Sequence, residues 1–111
     1  MLEVSEKYLS VIKDILGRLV PGCEVRAYGS RVAGTSHAGS DLDIVVIGKE
    51  PLQWKAMAKL RGEFEGSNLP FSIDVLDWNA LPENFKENIA GKYEVVQESA
   101  TPEGIGKTVE A

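Results

Sequence analysis

Two aspartates one residue apart, Asp41 and Asp43, stand at the head of an apolar run, Ile44 to Ile47. In an extended strand, side chains two apart share a face, so both carboxylates would point the same way. Two carboxylates on one face make a hard oxygen site suited to Mg²⁺, the ion that accompanies nucleotide phosphates. Upstream, Gly29-Ser30 offers backbone N–H groups and a hydroxyl, the parts from which phosphate sites are built. Ten residues separate Ser30 from Asp41. One short piece of chain therefore supplies both halves of a metal–nucleotide site. A third acid, Asp74, lies between Ile73 and Val75 in a later apolar segment. Buried carboxylates on such strands are costly unless paired or metal-bound. If the two segments are neighbouring strands about 5 Å apart, the three acids converge. The competing reading is three aspartates capping turns at strand ends.

The elements that must position these residues are legible from periodicity. From Ser5 to Val20 apolar residues fall at Tyr8, Leu9, Ile12, Ile15, Leu16 and Leu19, the stripe of a helix covering a sheet, and Pro21-Gly22 ends it. Cys23 to Tyr28 alternates, with Cys23, Val25 and Ala27 on one face, and reads as a half-buried strand. It leads directly into Gly29-Ser30, which places the turn at a strand's C-terminal end, where ligands of α/β sheets bind. Residues 31–40 form a loop with a helical turn after Ser30. Leu42 to Ile47 reads as a central strand, apolar on both faces apart from Asp43. Gly48-Lys49-Glu50-Pro51 opens a helix running to about Gly66, with Ala56, Met57, Leu60 and Phe64 on its buried side. Phe71 to Leu76 is a third strand, parallel to the second if the helix is a crossover. Leu81, Phe85 and Ile89 mark a short last helix, and Tyr93 to Gln97 an edge strand. The fold class is α/β (α+β): a small mixed β-sheet flanked by helices.

A chain of 111 residues is one domain, too small for a separate substrate-binding unit. Residues 1–98 read as that domain and 99–111, polar and Gly-containing, as a frayed tail. There is no run of 18 apolar residues and no signal peptide, and one cysteine, Cys23, rules out an internal disulfide. A cytoplasmic location is expected. The net charge of −5 argues against an extended nucleic-acid surface, though not against a mononucleotide.

Gly29-Ser30, ten residues, Asp41-x-Asp43 and then Asp74 on a later strand resembles the nucleotidyltransferase superfamily of the DNA polymerase β type. The resemblance is to its smallest members, the minimal nucleotidyltransferases that act as antitoxins of HEPN-domain ribonuclease toxins. At average residue usage the first two elements alone would arise by chance in roughly one of a thousand chains this long. The resemblance implies a polymerase β-like fold from about Val25 to Val96. It implies that Asp41 and Asp43 bind two Mg²⁺ ions and that Asp74 completes the catalytic ion's shell and accepts a proton. It further implies that Gly29, Ser30 and Arg31 bind the phosphates of ATP. The sequence departs from the pattern at Ala33, where many relatives carry a second basic residue, so the basic side of this loop is thin.

The resemblance thus implies Mg²⁺-dependent transfer of AMP from ATP to a hydroxyl. With no acceptor-binding domain in the chain, the acceptor would be the partner itself, a tyrosine of a HEPN-domain toxin. The alternatives are transfer to a small molecule such as an aminoglycoside, and an antitoxin that neutralises by binding alone. Four other residues read more plainly. His37 is expected exposed, Asp77 a turn or helix cap opposite in phase to Asp74, and Trp54 and Trp78 core or partner-facing.

Overall fold

In the computed structural model the chain is described over residues 2–37 and 39–99. The elements in order are α1 (Glu6–Leu19), β1 (Glu24–Tyr28), α2 (Ser30–Ala33), β2 (Leu42–Ile47), α3 (Trp54–Glu65), β3 (Ile73–Asp77), α4 (Glu83–Gly91) and β4 (Glu94–Gln97). A single 3₁₀ turn, Trp78–Ala80, joins β3 to α4. The strands form one mixed sheet in the order β3-β2-β1-β4. β1 runs antiparallel to both β2 and β4, whereas β2 and β3 are parallel and α3 is their crossover.

Alternation along the strands decides which face of the sheet meets the helices. Val25 and Ala27 of β1, Leu42, Ile44 and Val46 of β2 and Val75 of β3 are buried together with Ile12, Ile15 and Leu16 of α1 and Leu60 and Phe64 of α3. Each Val, Leu, Ile or Phe among them contributes roughly 1.5–3 kcal/mol relative to exposure, which locks the strand register against a one-residue slip. The residues between them are turned to the opposite face. There Tyr28 stands opposite Asp43, and Asp43 opposite Asp74, across three adjacent strands. This second face has only a partial cover, in which Val45 and Ile89 of α4 are buried apart from the main core.

Two boundaries differ from expectation. α3 begins at Trp54, not directly after Pro51. The intervening segment bonds instead to the end of β3: the Leu52 N–H donates to Asp77 Oδ2 at 2.8 Å, and Asn79 Nδ2 donates to the Gly48 carbonyl at 3.0 Å. Pro51 also biases Glu50 away from helix. β3 begins at Ile73, not Phe71, because the Phe71 ring is engaged outside the sheet, edge-on to Tyr8 with centroids 6.0 Å apart. Apart from Ser99, the expected tail lies outside the described residues. No described helix is long and apolar enough to cross a membrane.

Candidate active site

β1 delivers the chain to Gly29, which turns it into the single helical turn of α2. Gly29 has φ +83° and ψ −156°, a region open in practice to glycine alone. A Cβ there would also overlap Asp43 Oδ2 and lie 3.3 Å from its Cγ. The Gly29 carbonyl accepts from the N–H groups of Val32 and Ala33 at 3.0 and 2.9 Å, and Val32 is buried in the core. Ser30 is thereby held at the tip of β1, one residue after the glycine that packs against the carboxylate of Asp43.

Asp43 is half-buried, while Asp41 and Asp74 are exposed. The Asp43 carboxyl is pushed above its ordinary range, first by burial, then by the charges of Asp74 and Asp41. The Tyr28 phenol is pushed up to about 12 by burial and then by Asp43 and Asp74. At neutral pH it is therefore a protonated hydroxyl, in register with Asp43 on the neighbouring strand. Among the described residues the three acids do not form a ready-made three-ligand metal cluster. Their chemistry nonetheless suits a hard cation: the donors are all carboxylate oxygens, and charge on Asp43 is disfavoured by burial and then by the negative charges of Asp74 and Asp41, a cost a bound cation would offset.

Arg31 is placed otherwise than expected. It is only 7% exposed, and its guanidinium is engaged with the protein itself. Nε donates to the Ser40 carbonyl at 3.0 Å, Nη1 donates to the Glu3 carbonyl at 2.7 Å, and the group lies 4.3 Å from the Phe71 ring centre. The motif suggests a phosphate ligand at this position, and in the structure the guanidinium already has these partners within the protein.

A cavity of about 420 Å³ opens beside the turn, lined by Tyr28, Gly29, Ser30, Ala33, Phe85 and Lys92 among others. That volume lies within the roughly 300–1,000 Å³ of small-molecule sites. Tyr28 and Phe85 meet edge-on across it, with ring centres 6.3 Å apart. Lys92, which no sequence motif singles out, lines the same cavity as Ala33 and places a cation just beyond the end of α4. No local pattern marks it, since tertiary packing alone brings it there. Tyr28 was legible in principle, being in strand phase with the residue opposite the aspartates. A second groove of equal volume, lined by Phe64, Leu69 and Phe71 among others, includes none of the three acids.

The remaining residues follow expectation more closely. His37 is exposed, its Nδ1 accepting from the Gly39 N–H at 3.2 Å. Asp77 caps the 3₁₀ turn, Oδ1 accepting from the Asn79 N–H at 3.1 Å. Trp54 is 75% exposed and so no part of the core. Trp78 is half-buried under Arg26 and Lys86.

A carboxylate pair stands on adjacent parallel strands, beside a Gly-Ser turn on an antiparallel neighbour, the arrangement that the sequence resemblance leads one to expect of a nucleotidyltransferase. The sequence profile "Polymerase beta, Nucleotidyltransferase" matches residues 23–101, and the chain belongs to that family of enzymes. A relative from Haemophilus influenzae, described as a probable protein adenylyltransferase MntA, is 42% identical over 97 residues, covering 87% of this chain and 85% of its own. Among solved structures, a chain of a toxin–antitoxin crystallised with AMP-PNP superposes with a TM-score of 0.70 at 22% identity, covering 83% of this chain and 74% of that one. A chain from the tri-AMPylated Shewanella oneidensis HEPN toxin in complex with its MNT antitoxin superposes with a TM-score of 0.60 at 16% identity, covering 82% and 73%. At those identities the structural matches establish the fold.

Proposed function

We propose that this protein is an antitoxin that transfers AMP from ATP to a tyrosine hydroxyl of a HEPN-domain partner, in a Mg²⁺-dependent reaction. The observation that carries the reading is Asp43 in register with Asp74 on parallel strands, directly beside the Ser30 turn. The 42% identical relative described as a protein adenylyltransferase supports the choice of a protein acceptor.

In this reading Asp41, Asp43 and Asp74 hold two divalent ions. When bound, the ions neutralise triphosphate charge and stabilise the attacking and leaving oxygens of an in-line displacement. Ser30 donates its hydroxyl to a phosphate oxygen, and Gly29 lets the backbone come close. Lys92 supplies the positive charge that Ala33 does not. The nucleoside occupies the cavity against Tyr28 and Phe85, whose rings offer an apolar wall. The acceptor oxygen attacks the α-phosphorus, the bond to the bridging oxygen breaks, and pyrophosphate leaves. Asp74, on the sheet's edge strand and exposed to an incoming protein, takes the hydroxyl proton.

The test is transfer of label from α-labelled ATP to a purified HEPN partner. Label should appear on the partner with Mg²⁺ and vanish with EDTA. Absence of transfer across several divalent ions would leave neutralisation by binding alone as the better reading.

A further inference from the structure

We infer that Arg31 is a positioning residue for the metal end of the site, joining the chain that leads into Asp41 and the chain that leads into Asp74 to the turn that carries Ser30. Charged side chains are rarely buried this far unless their donors are satisfied, and Arg31 is 7% exposed. Its Nε bond ends on the carbonyl of Ser40, the residue immediately before Asp41. Its guanidinium plane covers Phe71, three residues before Asp74. Its backbone carbonyl accepts from the Glu3 N–H at 2.7 Å, and Nη1 returns a bond of equal length to the Glu3 carbonyl. The carboxylate of Glu3 in turn accepts from the Ser36 hydroxyl, in the loop before Asp41.

Two features make such a tie necessary. Asp41 stands outside β2, which begins at Leu42, so no ladder pairing sets its direction. Asp74 sits on β3, an edge strand paired only with β2. The lead-ins to both meet where the Leu42 N–H donates to the Ser72 carbonyl at 2.9 Å. Arg31 clamps that junction from outside the sheet. A planar fork that both bonds a carbonyl and covers a ring is not reproduced by lysine, whose charge is compact and strongly hydrated.

The inference rests on the proposed binding of divalent ions by the three acids. Its test is direct Mn²⁺ binding to the isolated protein, followed by the electron-paramagnetic signal of free Mn²⁺, with no nucleotide or partner present. Arg31→Lys should weaken Mn²⁺ binding by about 10–100-fold, as loss of a group orienting metal ligands does. Phe71→Leu, which removes the ring beneath the guanidinium, should weaken it in the same direction, and it carries the test if Arg31→Lys does not fold. In the transfer assay both variants should need more Mg²⁺ for half-maximal rate, while KM for ATP at saturating Mg²⁺ stays near wild type. Folded variants with lower melting temperature but wild-type Mn²⁺ affinity would overturn the inference and make Arg31 merely structural. Wild-type Mn²⁺ affinity with a raised KM for ATP would also overturn it, and return Arg31 to the phosphates. If the wild-type protein itself binds no Mn²⁺, the metal assignment fails along with it.

Discussion

The carboxylate of Asp43 occupies the space that a side chain at Gly29 would need. The two residues belong to different strands' ends, and their contact joins the proposed phosphate-binding half of the site to the proposed metal-binding half. Gly29 is required twice over, by its φ of +83° and by this contact. Gly29→Ala should cost about 1–3 kcal/mol of stability, the scale for a non-glycine residue in that region. It should also abolish transfer, since Asp43 has to move. Urea denaturation and the transfer assay check both. Full activity in a variant of unchanged stability would contradict the geometry.

Asp43→Asn separates a metal ligand from a structural aspartate. In metal-free protein the folded pKa of Asp43 is raised, by burial first and then by Asp74 and Asp41. The folded state therefore holds its proton more tightly than the unfolded one, and stability falls as pH rises from the ordinary aspartate pKa through the raised value. In EDTA at neutral pH, Asp43→Asn should melt at or above the wild-type temperature and lack that part of the pH slope. It should also lose most of the rise in Tm that Mg²⁺ gives the wild type. A variant that melts well below wild type in EDTA yet responds fully to Mg²⁺ would refute the metal assignment.

Ser30→Ala removes one proposed phosphate donor and leaves the acids in place. The transfer rate should fall about 10- to 1,000-fold, as for loss of a positioned donor in a charge-stabilising site. An unchanged rate at both saturating and low ATP would remove Ser30 from the mechanism.

Much of this site was legible before the fold was known, and the reason is local. Asp41-x-Asp43 and Gly29-Ser30 lie within fifteen residues, so strand phase at Asp43 and the turn at Gly29 bring those two together, while Asp41 stands just ahead of the strand. Asp74 needed one further step, the parallel pairing across α3, which the apolar run Ile73–Asp74–Val75 makes readable. What escaped depended on packing between distant segments. Arg31 sits inside the motif, yet its direction is set by Glu3, Ser40 and Phe71, which no periodicity links to it. Lys92 reaches the cavity because α4 lies across the open face of the sheet, a placement that Leu81, Phe85 and Ile89 give no means to orient. The delayed start of α3 has the same origin, in bonds between residues 48–52 and the end of β3.

Lys92→Ala tests whether α4 supplies the cation missing at Ala33. It should raise KM for ATP more than it lowers kcat, because an exposed lysine at the cavity rim acts chiefly in binding the triphosphate. Adding Ala33→Arg should recover part of the affinity, since both positions line one cavity. Steady-state kinetics over a range of ATP concentrations decide it. Unchanged KM in Lys92→Ala would place the triphosphate elsewhere.

If the proposed function is right, a partner tyrosine receives AMP through Asp41, Asp43 and Asp74. The most direct measurement is mass spectrometry of a purified HEPN partner after incubation with this protein, ATP and Mg²⁺, in parallel with Asp43→Asn. The account predicts an added AMP on a tyrosine-containing peptide with the wild-type protein and none with the variant. Partner left unmodified by the wild type, yet still neutralised on mixing, would contradict it.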